Sequence, residues 1–157
     1  MNPVILGGLL FNADDHVAAW VNERCGGGKV FAPFVAIGVV CDGQLTAGAV
    51  FHSHQTHDIT VTAASARPSL RLASAIRAGL HYAFEQLGVP RVSAEIDLRN
   101  VRMIRLAERM GFVREGVKRR AANGRLHVGV YGLLQKDFRL WDSSVHRNRR
   151  HFQTLQR

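Results

Sequence analysis

NVRMIRLAERMGFVREG, Asn100 to Gly116, sets a helix and a strand back to back, and the rest of the chain can be read outward from it. Met103, Leu106, Ala107 and Met110 fall at i, i+3, i+4 and i+7, which is one apolar stripe of an α-helix. Arg102, Arg105 and Arg109 take the opposite side. Asn100 is a preferred N-cap residue, and Gly111 supplies the left-handed geometry that ends a helix. Phe112 then restarts the chain as a strand.

Upstream, Asp14 and Asp15 suit the positive end of a first helix, with Val17, Ala18 and Val21 on its apolar side and Gly26-Gly27-Gly28 to stop it. FVAIGVVC (34–41) and LTAGAVF (45–51) flank Asp42-Gly43, a strong hairpin signal. Ile59 to Ala63 alternates as a third strand. From Ser69 to Leu87 the period becomes helical, with Ala73, Ile76, Leu80, Ala83, Phe84 and Leu87 on one side. Gly88 and Pro90 end that helix, and Arg91 to Asp97 alternates again. Downstream, Phe112 to Ala121 and Leu126 to Leu134 read as strands around Asn123-Gly124. The order is helix, three antiparallel strands, helix, strand, helix and a closing hairpin. One parallel β-α-β crossover between residues 58 and 97, set among antiparallel neighbours, implies a mixed α/β sheet flanked by helices.

That order, with the Asn opening and GF exit of the Asn100 helix, resembles the Gcn5-related N-acetyltransferase (GNAT) superfamily over roughly Pro3 to Leu134. AGAVFH (47–52), YAFEQLGVPRVSAEID (82–97), RLAERMGFVREG (105–116) and VYGLL (130–134) are most similar to small acetyltransferase-like proteins of tailed phages and prophages. The resemblance implies a GNAT fold and direct acyl transfer from acetyl-CoA to a primary amine in a ternary complex. It implies that Val61, Thr62 and Ala63 hold the pantetheine arm like an added strand. Arg67, Ser69, Leu70, Arg71 and Leu72 would hold the pyrophosphate where that strand enters its helix. Asn100 and Met103 would take the cofactor's edge.

Two family features are replaced. The loop Arg-Gly-x-Gly-x-Gly becomes Arg67-Pro68-Ser69-Leu70-Arg71-Leu72, so only Arg67 matches. Proline removes an N–H donor but is tolerated in a helix's first turn, and Arg67 and Arg71 could supply charge where glycine geometry is lost. The tyrosine that the family places seven residues after the asparagine is Ala107 here. Tyr82 lies mid-helix and Tyr131 on the last strand. The phage-type proteins that the chain resembles also tend to lack the glycine loop and the helix tyrosine.

An attacking amine must be neutral, so a base is useful. Ser93, Glu95 and Asp97 share one side of their strand, and Glu95 is the candidate catalytic base; a solvated or arginine-paired acid is the other reading. His52, His54 and His57 surround a turn without accompanying cysteines, so no metal is assigned. Ser65 and Ser69 lack a positioned His/Asp pattern.

At 157 residues and 46% hydrophobic, the chain is long enough for one core without disulfides, and Cys25 and Cys41 fit a reducing compartment. Residues 1–140 read as one GNAT-like domain and 141–157 as a basic C-terminal tail. No stretch is long enough to span a membrane, and the apolar start lacks a basic n-region, so a cytoplasmic place is expected (host cytoplasm if phage-encoded). Lys plus Arg number 21 against 12 acids, a formal charge of +9, and only Lys29, Lys118 and Lys136 are lysines. Such a surface favours acidic acceptors, small molecule or protein, or a polyanionic partner. The alternative is an inactive GNAT-fold binding protein. Nucleic acid, by way of Lys118-Arg119-Arg120 and the tail, ranks below it because no helix-turn-helix, zinc finger or aromatic RNA-binding motif is present. A homodimer remains open, since Phe11 and Trp20 suit either core or dimer surface.

Overall fold

The computed structural model describes residues 1–139 except Val30, Pro68 and Ser69; the basic tail lies outside the described residues. The chain forms two compact units, Met1–Ala94 and Glu95 onward. The first holds β1 (Val4–Leu6), β2 (Leu9–Phe11), α1 (Asp14–Arg24), β3 (Phe34–Cys41), β4 (Gln44–His52), β5 (Ile59–Ser65) and α2 (Leu70–His81). Strand β6 (Arg91–Asp97) carries the chain into the second, which holds α3 (Val101–Arg109), β7 (Val113–Ala122) and β8 (Leu126–Leu134). All strand pairs within each unit are antiparallel except β5 with β6, where Ile59, Thr60 and Val61 face Val92, Ser93 and Ala94 in parallel. The fold is thus mixed α/β with one parallel crossover, as the order of elements implies. No helix among the described residues is long and apolar enough to cross a membrane.

In the first unit the turn chemistry is as read: Asp42 and Gly43 both take positive φ, 51° and 72°, the conformation a tight β3–β4 hairpin demands. Helix α1 packs on one face of these strands. A Cβ on Gly48 would stand 2.8 Å from Val17 Cγ1 and 3.0 Å from Val21 Cγ2, so the missing side chain is what lets the helix approach. Val17, Val21, Leu10, Phe31, Ala36, Val50 and Ala64 are buried there, with Trp20 packed against them. Trp20 therefore belongs to this core, and Arg24 lies over its ring at 3.6 Å. Helix α2 covers the other face, close enough that a Cβ on Gly79 would meet Phe51 Cε2 at 1.9 Å.

Three details differ from the sequence expectation. The stretch before α1 pairs into the β1–β2 hairpin, because Gly7 and Gly8 turn the apolar run back on itself. Helix α2 ends at His81 and the chain widens into a π-helical turn, Tyr82–Gln86, where the Leu87 N–H reaches back to the Tyr82 carbonyl at 3.0 Å. The inward side of α2 is Leu72, Ala75, Ile76 and Leu80, while Ala73 is only half-buried.

In the second unit the Asn100 side chain accepts the Met103 N–H at 3.1 Å and Gly111, at φ 95°, ends α3. Ala107 and Met110 are buried and Arg102, Arg105 and Arg109 exposed, the division that the stripe predicts. Phe112 is buried, and the strand begins one residue later, at Val113. Strand β7 is exposed along almost its whole length.

Candidate functional site

The backbone of β5 carries the first part of the site. One edge pairs with β4 throughout, Val50 with Thr62 and Ala47 with Ser65. The parallel ladder to β6 stops at Val61, so from Thr62 to Ser65 the other edge has no ladder partner among the described residues. Alternating N–H and C=O groups on such an edge can accept an extended amide-containing arm as if it were another strand. Val61 is buried, whereas Thr62 and Ala63 are half-buried. The Cys25 Sγ–H, at the end of α1, is directed at the Ala63 carbonyl at 3.9 Å. Burial pushes the Cys25 thiol up from its usual range, against the charge of Lys29, which keeps it protonated.

His52, at the end of β4, is held by two hydroxyls. Its Nε2 lies 2.9 Å from Thr62 Oγ1 and its Nδ1 2.9 Å from Ser53 Oγ. Its ring packs on Phe31 with centroids 4.7 Å apart. Burial, aided by Lys29, lowers its pKa from 6.5 to about 4, so the imidazole is neutral near pH 7. His54 and His57 are exposed, and among the described residues no three His, Cys, Asp or Glu side chains form a metal-holding group. Asp58 instead accepts the Ser93 hydroxyl at 2.6 Å and faces Arg91 Nε at 3.6 Å.

Beyond β5, the Ser65 hydroxyl donates to the Arg67 carbonyl, and the Arg67 side chain is exposed. Leu70 opens α2, whose first turn holds no acid, so nothing on it offsets the positive end of the helix. Ser69 lies outside the described residues. Arg71 points away from this end: its Nη1 is 3.5 Å from the Val40 carbonyl and fills the space beside Gly8. Leu72 is buried, which leaves its backbone as the part able to meet a ligand.

In the second unit, Glu95 is exposed and its Oε1 accepts from Lys118 Nζ, a lysine partner rather than an arginine one. Asp97 is bound by Arg99, Nη2 to Oδ2 at 2.9 Å, and those hydrogen bonds hold its carboxyl below the usual range. Asn100 spends its Oδ1 on the Met103 N–H, so both residues serve the helix cap. Tyr131 on β8 is fully buried, and its hydroxyl has no hydrogen-bond partner among the described residues.

Sequence reading did not single out the His52–Thr62 pair, the Cys25–Ala63 contact or the state of Tyr131. Pairing Leu45–Phe51 with Ile59–Ala63 as a hairpin would have put His52 beside Thr60 and Thr62. Nothing local marks Cys25, because its partner lies 38 residues away.

Residues 58–113 match the family whose model is described as Acetyltransferase (GNAT) domain. That match contains β5, α2, β6 and α3, the elements carrying every candidate residue above except Lys118, Tyr131 and those before Asp58. Solved structures share the fold. A protein of T. thermophilus with a provisional acetyltransferase designation is 19% identical over 94% of this chain and 97% of its own, at TM-score 0.71. A GNAT-family acetyltransferase from Bacillus anthracis is 17% identical over 86% and 99%, at TM-score 0.63. The spermidine/spermine N-acetyltransferase SpeG from Vibrio cholerae, solved in mutant forms, is 17% identical over 79% and 78%, at TM-score 0.60. No curated protein matches the chain.

Proposed function

We propose that this chain is an acetyl-CoA-dependent N-acetyltransferase, with residues 1–140 as its working domain. The observation that carries the reading is the release of β5 from its parallel partner after Val61, within the stretch matching the acetyltransferase family. Acetyl-CoA would supply an activated thioester. Thr62 and Ala63 present the free strand edge, with Val61 at its root, and the Leu70, Arg71 and Leu72 amides with the Arg67 guanidinium offer donors to the pyrophosphate. Asn100 and Met103 frame the start of α3. Glu95 takes the proton of the amine, directly or through water, after parting from Lys118.

Charge narrows the acceptor. A protein of formal charge +9 repels polycations and draws in anions, so an amine on an acidic peptide or small molecule suits it better than a free polyamine. The test is calorimetric titration of acetyl-CoA, with dephospho-CoA and desulfo-CoA as controls. Micromolar, phosphate-dependent binding that weakens about tenfold in Arg67→Ala, the loss of one charge-assisted contact, supports the reading. Absence of binding to every acyl-CoA rejects it.

A second reading is a binding protein that keeps the fold without turnover. It is favoured by the engagement of Arg71 at Val40 and of Glu95 with Lys118. Tight cofactor binding with no acyl transfer to any amine in a broad screen would select it.

A further inference from the structure

Positive charge is unevenly placed along this chain. Residues 1–94 carry six Lys and Arg against six Asp and Glu, so the first unit is neutral by formal count. Residues 95–139 carry eleven against five, and nine of those eleven are arginines. The excess among the described residues therefore belongs entirely to the second unit.

Helix α3 concentrates part of that excess on one face. Arg102, Arg105 and Arg109 fall within about 60° of arc, on the side away from buried Ala107 and Met110. They span roughly 10 Å along the helix axis. All three are exposed, and among the described residues no carboxylate lies within ion-pairing distance of any of them. Glu108, the only acid of the helix, lies outside the arc. Like charges three and four residues apart weaken the helix that bears them, and an anion laid across them reverses the effect.

The rest of the unit indicates which anion. Phe112, Tyr131 and Phe138, the aromatic residues of 95–139, are all buried. Among the described residues of the unit, no such ring is left to stack on an unpaired base or to fill a pocket in a partner protein. A nucleic-acid duplex needs neither contact. Each strand of duplex DNA sets one phosphate per about 3.4 Å of axis, so roughly 10 Å matches three phosphates to three arginines. The guanidinium fork also meets phosphate oxygens bidentately. We propose that the Arg102, Arg105 and Arg109 face of α3 binds the phosphate backbone of double-stranded DNA without reading its sequence. This binding does not depend on the acetyltransferase reading.

The test is fluorescence anisotropy of the full chain with a labelled DNA duplex, along a salt series from about 50 to 200 mM. The triple variant Arg102→Gln, Arg105→Gln, Arg109→Gln should lower the slope of log K against log salt by about 2.7, and each single variant by about 0.9. Glutamine and arginine have similar helix propensity, so melting temperatures should hold. A duplex of scrambled sequence should bind alike. A control variant, Arg24→Gln, Lys29→Gln, Arg77→Gln, removes the same charge from the first unit and should leave the slope unchanged. Equal loss in both triple variants would assign the binding to net charge alone and overturn the proposal. An unchanged slope in the α3 variant overturns it too, as does a wild type that binds no duplex. Tighter binding to a single strand or an RNA duplex, or displacement by polyglutamate at equal charge, overturns the assignment to duplex DNA. Failure to bind any acyl-CoA would leave the proposal standing.

Discussion

The β4–β5 region and strand β8 each keep a polar ring away from water, and they do so in opposite ways. His52 has a hydroxyl at each nitrogen and an aromatic ring against its face. Tyr131 has more complete burial and no partner among the described residues. A satisfied buried polar group holds its surroundings in one arrangement, so removing a partner loosens them. An unsatisfied one is already under cost, so removing it relieves the structure. The same kind of substitution therefore carries opposite signs in the two regions.

Acid gives the largest expected effect. The folded pKa of His52 lies near 4, below its ordinary 6.5, so the unfolded chain binds that proton more readily. The stability from a neutral His52 is complete above pH 6.5 and is lost as the pH falls toward 4, by about 2 kcal/mol once solvent screening of the part-exposed ring is allowed for. Urea unfolding at pH 7, 5.5 and 4 should show the wild type losing that much more than His52→Gln; parallel losses would remove the histidine from the account.

Thr62→Val comes next. It leaves His52 Nε2 with no partner in place of a 2.9 Å hydrogen bond, and should cost about 1–3 kcal/mol by chemical denaturation at pH 7. A neutral result would mean that water replaces the hydroxyl and that His52 is less firmly held than its contacts imply. Tyr131→Phe should move the other way, raising ligand-free stability by about 1 kcal/mol and the melting temperature by about 2–4 °C. A lower melting temperature would erase the contrast. Lys118→Ala should change stability least, by at most about 1 kcal/mol for so exposed a pair. Its informative effect lies in turnover: with the lysine gone, kcat/KM should rise if Glu95 is the base, and an unchanged value would remove Glu95 from the mechanism.

The elements with one dominant local signal were legible from the residues alone. Asn100, the four apolar positions of α3 and Gly111 define a helix whose cap, face and end are all as read. Asp42-Gly43 and Asn123-Gly124 fix two hairpins because both residues of each pair take positive φ. The β1–β2 hairpin escaped because its six strand residues are all apolar and show no alternation, so period gives no answer there. The π-helical turn escaped because widening a helix by one residue per turn leaves the pattern of buried side chains nearly unchanged over so short a run. At the candidate site, the strand and helix that bear it were legible, but the bearings of long side chains were not. Arg67 and Arg71 look equivalent in sequence, yet Arg71 turns toward the Val40 carbonyl, into space that the missing side chain of Gly8 leaves. Lys118 reaches Glu95 across 23 residues, a distance at which pattern says nothing.

The exposure of β1 has a consequence for handling the protein. Val4, Ile5 and Leu6 stand 41%, 56% and 64% exposed on a strand paired along one edge only among the described residues. An apolar strand with a free edge invites a second copy to zip onto it. Mutual repulsion at a formal charge of +9 opposes that pairing, and it reaches about 30 Å in 0.01 M salt but only about 3 Å in 1 M. Salt, the usual remedy for a sticky basic protein, should therefore drive this one toward self-association, and light scattering along a salt series should show particle size rising.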